Sequence, residues 1–317
     1  MSESVGLLPA DRRASADTLR LLSGPAGSLA LALLLLVLPL LVAPSWLFTL
    51  GIAFANSLGV LSVSFLVRYG GEVSIGHSVF AAAGAYTVAI LEKHYGVSLW
   101  ISLPLAVTAG VLLGIAFAWP SRRLSGIYLA VTTMALALAL PEIIDAGDAW
   151  TGGYEGLYVA LKVVPIAPVG LQRYYVALLL LFAGVYALTR LRESRQGMAL
   201  LLARSHPAAA EAFGTRRTWA RVAAMAISTG LAAAAGAAMA CASATVSPSG
   251  FTLWTAIFLL VGSVVSFYGL TLGRALVGGA FLTLVPQILA GSGAWIQPGR
   301  SARCIARFFM VILLTCG

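Results

Sequence analysis

The sequence predicts an all-α, polytopic transmembrane helical bundle with about 8–10 spans and a cytoplasmic N-terminus. Three observations lead to this fold class. Of the 317 residues, 60% are hydrophobic and only 10% are charged, whereas a soluble domain carries about 25% charged residues. Apolar stretches of about 20 residues, the length that crosses a bilayer as a helix, recur along the chain. The arginines concentrate in alternate loops, as the positive-inside rule requires.

Nine apolar stretches between residues 28 and 291 are predicted to form the transmembrane domain. Residues 1–27 are polar and are predicted to be a cytoplasmic tail, because the apolar run that follows is too long for a signal peptide. Residues 292–317 are predicted to be an atypical, truncated C-terminal tail, since the apolar run 308–315 is too short to span. The predicted spans are 28–46, 48–67, 73–92, 98–119, 125–144, 174–191, 218–241, 252–268 and 272–290.

The arginines set the predicted orientation of the bundle. They lie in the N-terminal tail and follow spans two, four and six, all on one side, which is therefore the cytoplasm. The opposite loops are mixed or slightly acidic. This distribution also explains the formal charge of +9 without a nucleic-acid partner. The arginines used are Arg12, Arg13, Arg20, Arg68, Arg122, Arg123 and the six from Arg190 to Arg217.

A glycine-rich polar segment, Gly70–Ser78, interrupts the apolar sequence between spans two and three. It contains Glu72, Ser74 and His77, and we call it the broken segment. Backbone that is not helical is tolerated at membrane depth only against protein or a water-filled cavity. The segment therefore either lines a solute path or is a short polar loop at the membrane interface.

Two connections between spans are long. Residues 145–173 form a loop on the outside, and residues 192–217 form a segment on the cytoplasmic side. The stretch 198–212 is predicted to be a short amphipathic helix, with Pro207 opening a second turn. Such a helix is either an interfacial anchor or a docking element for a partner.

The chain lacks the residues of a nucleotide-hydrolysing enzyme. A phosphate-binding loop needs a lysine after a glycine, but Lys93 follows Glu92 and Lys162 follows Leu161. The cysteines Cys241, Cys304 and Cys316 have no metal-binding spacing. We therefore expect no catalytic residue, no metal and no cofactor.

Ionisable residues at membrane depth are also few, namely Glu72, His77 and Glu142. Ion-coupled carriers usually bury carboxylates along their path. The shortage favours a transporter that takes its energy from another source.

Four motifs in order along the chain resemble permease subunits of the ATP-binding-cassette (ABC) importers for branched-chain amino acids, the LivM type. The broken segment resembles the Gly-Gln-x-Ser-x-Gly-His segment of that family, with Glu72 in place of the glutamine. The other matches are Arg123–Thr133, Thr151–Leu157 and Ser247-Pro248 with Phe251.

The resemblance implies roles for three groups of residues. The translocation path would contain Gly71, Glu72, Ser74, Gly76, His77, Gly84 and Tyr86. A permease signature loop would contain Thr151, Gly152, Gly153 and Gly156. The segment that couples the chain to an ATPase would contain Gly197, Arg204, Glu211, Ala212 and Gly214.

The resemblance also implies the function and the partners. The chain would be the permease of an importer in the bacterial inner membrane, for branched-chain amino acids or a similar small polar solute. Two separate ATPase subunits, a second permease subunit and a periplasmic or lipid-anchored solute-binding protein would complete it within the membrane lipid. An alternative is an autonomous channel or facilitator for a small neutral solute such as urea or an amide, and a third is a membrane scaffold that transports nothing.

Overall fold

The structure of the protein is a computed structural model that describes residues 25–40, 44–121, 127–160 and 168–292. Of the predicted N-terminal tail, the structure describes only residues 25–27. Of the predicted C-terminal tail, it describes only residue 292. The other residues of both tails lie outside this description. So do Arg122, Arg123, Cys304 and Cys316, and with them the first residues of the 123–133 motif.

The described residues form twelve α-helices and one two-stranded antiparallel sheet. A π-helical turn, Leu66–Gly70, continues α2, and short 3₁₀ helices occupy Leu38–Leu40 and Pro248–Phe251. The α-helices are α1 (Pro25–Val37), α2 (Pro44–Phe65), α3 (His77–Tyr95), α4 (Leu99–Ser121), α5 (Ile127–Ala146), α6 (Asp148–Thr151), α7 (Val169–Glu193), α8 (Arg195–Ser205), α9 (Pro207–Ala212), α10 (Arg217–Ser243), α11 (Leu253–Val265) and α12 (Leu272–Ser292). The strands are β1 (Leu157–Tyr158) and β2 (Thr245–Val246).

Each of the nine predicted spans overlaps a helix of the described residues, and the chain is an all-α, polytopic membrane protein as predicted. By length and composition, five helices of the described chain can cross a membrane. They are Trp46–Gly70, Leu99–Pro120, Tyr128–Ala146, Val169–Glu193 and Arg217–Ser243. The apolar helices Leu29–Leu40 and Leu253–Val265 are shorter.

Residues Val42–Leu284 form one compact unit. The described residues outside it, 25–40 and 285–292, belong to a second unit.

Helix α10 is the centre of this unit. It packs against α2, α3 and α4, and 83% of its most apolar 18-residue stretch is buried. Small residues allow the backbones to touch: a Cβ atom added to Gly84 of α3 would lie 2.0 Å from the carbonyl oxygen of Ala233. One added to Gly236 would lie 1.7 Å from the carbonyl oxygen of Ala81. Close approach between small residues is how helices associate within lipid, where apolar burial gives little driving force.

Candidate functional site

The broken segment is an internal connection between two helices. The π-helical turn ends at Gly70, and α3 begins at His77. Gly71, with a φ of +68°, allows the turn between them, because this backbone conformation strains any residue with a Cβ atom. Ser74 and His77 are each 1% exposed and Glu72 is 8% exposed. These three polar side chains therefore pack against protein, whereas Gly71 and Val73 of the same segment are exposed.

Glu72 forms an ion pair with Arg221 of α10, and the Arg221 Nε donates a hydrogen bond to the Glu72 carboxylate. Burial raises the pKa of the Glu72 carboxyl above its ordinary value, and the Arg221 guanidinium opposes that rise. A buried carboxylate needs such a partner, because an unpaired charge away from water is strongly destabilising. The pair thus ties the broken segment to the first turns of α10.

Gly76 fixes the distance between the broken segment and α5. A Cβ atom added to Gly76 would lie 2.4 Å from the carbonyl oxygen of Thr133. The backbone N–H of Ile75 donates to the Thr133 Oγ1 at 3.1 Å. A side chain at position 76 would force these two backbones apart.

His77 joins α3 to α10 and α2. Its Nε2 lies 2.8 Å from the Ser228 Oγ, and the Ser228 hydroxyl donates to the carbonyl oxygen of Ser62 at 2.8 Å. A hydroxyl has one proton to donate, so His77 must carry its proton on Nε2 and donate it to Ser228. The buried Nδ1 of His77 and the buried hydroxyl of Tyr86 then have no hydrogen-bond partner among the described residues.

The predicted signature loop lies elsewhere, after α5 and α6. The Thr151 hydroxyl donates to the carbonyl oxygen of Ile144 at 2.7 Å. Strand β1 follows the loop and pairs with β2, with Leu157 opposite Val246, and a Cβ atom added to Gly156 would lie 2.1 Å from the Val246 carbonyl oxygen. Through these hydrogen bonds and backbone contacts, the loop connects the end of α5 to the segment after α10. Its residues with positive φ angles are Gly152, Gly153 and Gly156.

The predicted coupling segment folds into two helices. Ser194 caps α8 by accepting a hydrogen bond from the Gly197 N–H at 3.1 Å, and α9 begins at Pro207, which confirms the predicted second turn. Gly197 is buried against α7, where an added Cβ atom would lie 2.1 Å from the Leu191 carbonyl oxygen. The other predicted coupling residues are exposed: Arg204, Glu211, Ala212 and Gly214.

Helix α8 has a buried face and an exposed apolar face. Its buried residues are Gly197, Leu200 and Ala203, and the helix packs against α10 and the π-helical turn. The exposed apolar side chains of α8 and of the residue after α9 are Met198, Leu201 and Phe213, the last of them 81% exposed.

The coupling segment and the broken segment meet at Arg204. Its Nη1 donates to the carbonyl oxygen of Arg68 in the π-helical turn, and a Cβ atom added to Gly71 would lie 3.1 Å from the Arg204 Nε. An open cavity of about 210 Å³ lies between the two segments. It is lined by Tyr69, Gly70, Gly71, Leu200, Ala203, Arg204, Arg217, Ala220 and Arg221.

The structure thus brings some predicted residues together and separates others. Gly71 lies next to the Arg204 side chain in the lining of the cavity, whereas Gly84 and Tyr86 lie farther along α3. Sequence reasoning missed the partners Arg221 and Ser228. The sequence did contain a signal for Arg221. A buried Glu72 needs a cationic partner, and Arg221 is an arginine inside the predicted span 218–241.

Comparison with known proteins connects this geometry with transport. The profile of the family described as the permease component of branched-chain amino acid transport systems matches residues 45–316. No solved structure matches the chain.

Two relatives carry the name high-affinity branched-chain amino acid transport system permease protein LivM. The Salmonella typhimurium protein is 27% identical over 256 residues, which are 72% of this chain and 60% of that protein. The Escherichia coli protein is 27% identical over 298 residues, which are 83% of this chain and 69% of that protein. The chain thus matches less than two thirds of the length of the Salmonella relative.

Proposed function

Because the chain belongs to the family of branched-chain amino acid transport system permease components, we propose that it is the transmembrane permease subunit of an ATP-driven importer. Its cargo would be branched-chain amino acids or a similar small polar solute, and its place the bacterial inner membrane. The observation that carries this proposal is the match over residues 45–316, which includes the broken segment, the signature loop and the coupling segment.

The partners are part of the proposal. Neither of the two lysines follows a glycine, so the chain has no phosphate-binding loop of the usual kind, and ATP hydrolysis would belong to two ATPase subunits. These would dock on the exposed apolar side chains Met198, Leu201 and Phe213. A second permease subunit would complete the path, and a solute-binding protein would dock at the opposite end, near the signature loop and Ser247.

We propose a route by which motion of the ATPases reaches the path. A shift of α8 would pull on the π-helical turn through the bond from Arg204 to the Arg68 carbonyl oxygen. The broken segment would pass this shift to α10 through Glu72 and Arg221. The nucleotide state of the ATPases would thereby change the relative populations of outward-open and inward-open states.

We also propose that the predicted path residues of the broken segment and α3 line the route of the solute, and one structural feature supports this. His77 Nδ1 and the Tyr86 hydroxyl are buried polar atoms with no partner in the described part of the chain. The buried Ser78 hydroxyl on the same helix also has no partner among the described residues. Buried polar atoms are usually paired, and these three unpaired atoms on α3 are consistent with a polar route along this helix that a solute or water would fill.

Reconstitution into proteoliposomes tests the proposal. The chain alone should give no uptake of radiolabelled leucine. Uptake should appear only with the ATPases, the second permease subunit, the solute-binding protein and ATP. ATP-independent flux of urea through the lone chain would overturn the importer in favour of an autonomous facilitator. ATP hydrolysis by the purified chain would also contradict the proposal.

A further inference from the structure

The cavity between the broken segment and the coupling segment has a strong positive character that transport of a neutral zwitterion does not explain. We propose that this cavity is a binding site for a phosphate-bearing anion. The proposal rests on the residues that line the cavity and does not depend on the proposed function.

The lining of the cavity is positively charged. Three arginines line it, namely Arg204, Arg217 and Arg221. Glu72 forms a salt bridge with Arg221, and Arg204 and Arg217 add two further positive charges to the lining. Guanidinium groups present paired N–H donors that match the oxygens of a phosphate.

The N-terminal end of α10 also lines the cavity. Arg217 and Ala220 come from the first turn of this helix and Arg221 from the second, and the helix has 27 residues. That end has no side-chain cap and no acidic residue in its first turn. The free N–H groups and the dipole at such an end attract anions.

Two glycines, Gly70 and Gly71, also line the cavity. Any side chain at position 71 would contact the Arg204 guanidinium. Glycine therefore leaves Arg204 room to face the cavity, and it leaves backbone in reach of a ligand.

Two sources of phosphate fit this chemistry: the headgroup of an acidic phospholipid and soluble phosphate. The expected level of the cavity in the membrane, beside two tryptophans, favours the lipid headgroup. Trp119 and Trp219 are both exposed, and their ring centroids are 5.5 Å apart. Tryptophan is enriched at the level of the headgroups, and Trp219 lies between Arg217 and Arg221 in the sequence.

The test uses the full chain in nanodiscs of phosphatidylcholine with phosphatidylglycerol. Native mass spectrometry after release should show retained phosphatidylglycerol. Arg217→Gln should lower this retention about tenfold, or about 1.4 kcal/mol, because it removes a charged hydrogen-bond donor. Arg217→Lys, which keeps the charge but not the paired donors, should lower it less. The matched control is Arg192→Gln, an exposed arginine at the end of α7 outside the cavity, which should retain the lipid.

A second arm identifies the source. In nanodiscs of phosphatidylcholine alone, inorganic phosphate that raises the melting temperature of the unaltered chain, but not of Arg217→Gln, would identify a soluble anion. If Arg217→Gln and Arg192→Gln behave alike in both arms, the proposal is overturned. Because both readouts measure binding, that result would leave the proposed importer function standing, and loss of uptake in reconstitution would leave the anion site standing.

Discussion

The broken segment and the coupling segment are both polar interruptions of an apolar chain, but they are built in opposite ways. The side chains of Ser74 and His77 are almost fully buried, and Gly76 lies in contact with backbone. In the coupling segment Glu211 and Gly214 are exposed, and an added Cβ atom at Gly214 would meet nothing within 4 Å. Changes at Gly76 should therefore act on the folded chain itself, whereas changes at an exposed position of the coupling segment such as Glu211 should act only through a partner.

The largest effect is expected from filling the contact at Gly76. In Gly76→Leu the new Cβ atom would overlap the Thr133 carbonyl oxygen, and α5 would have to move. Overpacking of this kind destabilises by about 3 kcal/mol, and uptake in reconstituted proteoliposomes should be lost. Titration with SDS measures the stability.

The control for this variant is Gly170→Leu. Gly170 lies in the first turn of α7, and an added Cβ atom there meets nothing within 4 Å. It should change the free energy of unfolding by no more than about 0.5 kcal/mol. Equal stability of the two leucine variants would show that the broken segment is as tolerant as a surface position.

A smaller effect is expected from breaking the ion pair between the broken segment and α10. Glu72→Gln leaves the largely buried Arg221 guanidinium without its carboxylate and should lower the free energy of unfolding by about 2 kcal/mol. Arg221→Gln should cost about as much, for the same reason.

A double-mutant cycle separates the pair from its surroundings. The variant with both substitutions should lose less stability than the sum of the two single losses, with a coupling of about 1 kcal/mol or more. Additive losses would mean that Glu72 and Arg221 do not act as a pair, and the proposed route from the broken segment to α10 would lack its link.

The helices of this fold could be predicted from sequence, but the contacts could not. An apolar run of bilayer length must satisfy its own backbone hydrogen bonds, so a helix is expected, and each of the nine runs overlaps a helix of the described residues. Glu72 and Arg221 are 149 residues apart in the sequence, and His77 and Ser228 are 151 apart. Local patterns carry no information on such pairings, because the packing of α10 against α2 and α3 decides them.

The smallest effect on the folded chain is expected in the coupling segment, from Glu211→Arg. Glu211 is exposed at the end of α9, so its reversal of charge should change the free energy of unfolding by no more than about 0.5 kcal/mol. If the ATPases dock here, the complete importer should still hydrolyse ATP and bind the solute-binding protein, but ATP turnover per transported solute should rise. Arg274→Glu, an exposed reversal of charge near the start of α12 and outside the coupling segment, should leave that ratio unchanged. An unchanged ratio in Glu211→Arg would identify α8 and α9 as an interfacial anchor, because an anchor holds the chain at the membrane surface and carries no motion from a partner.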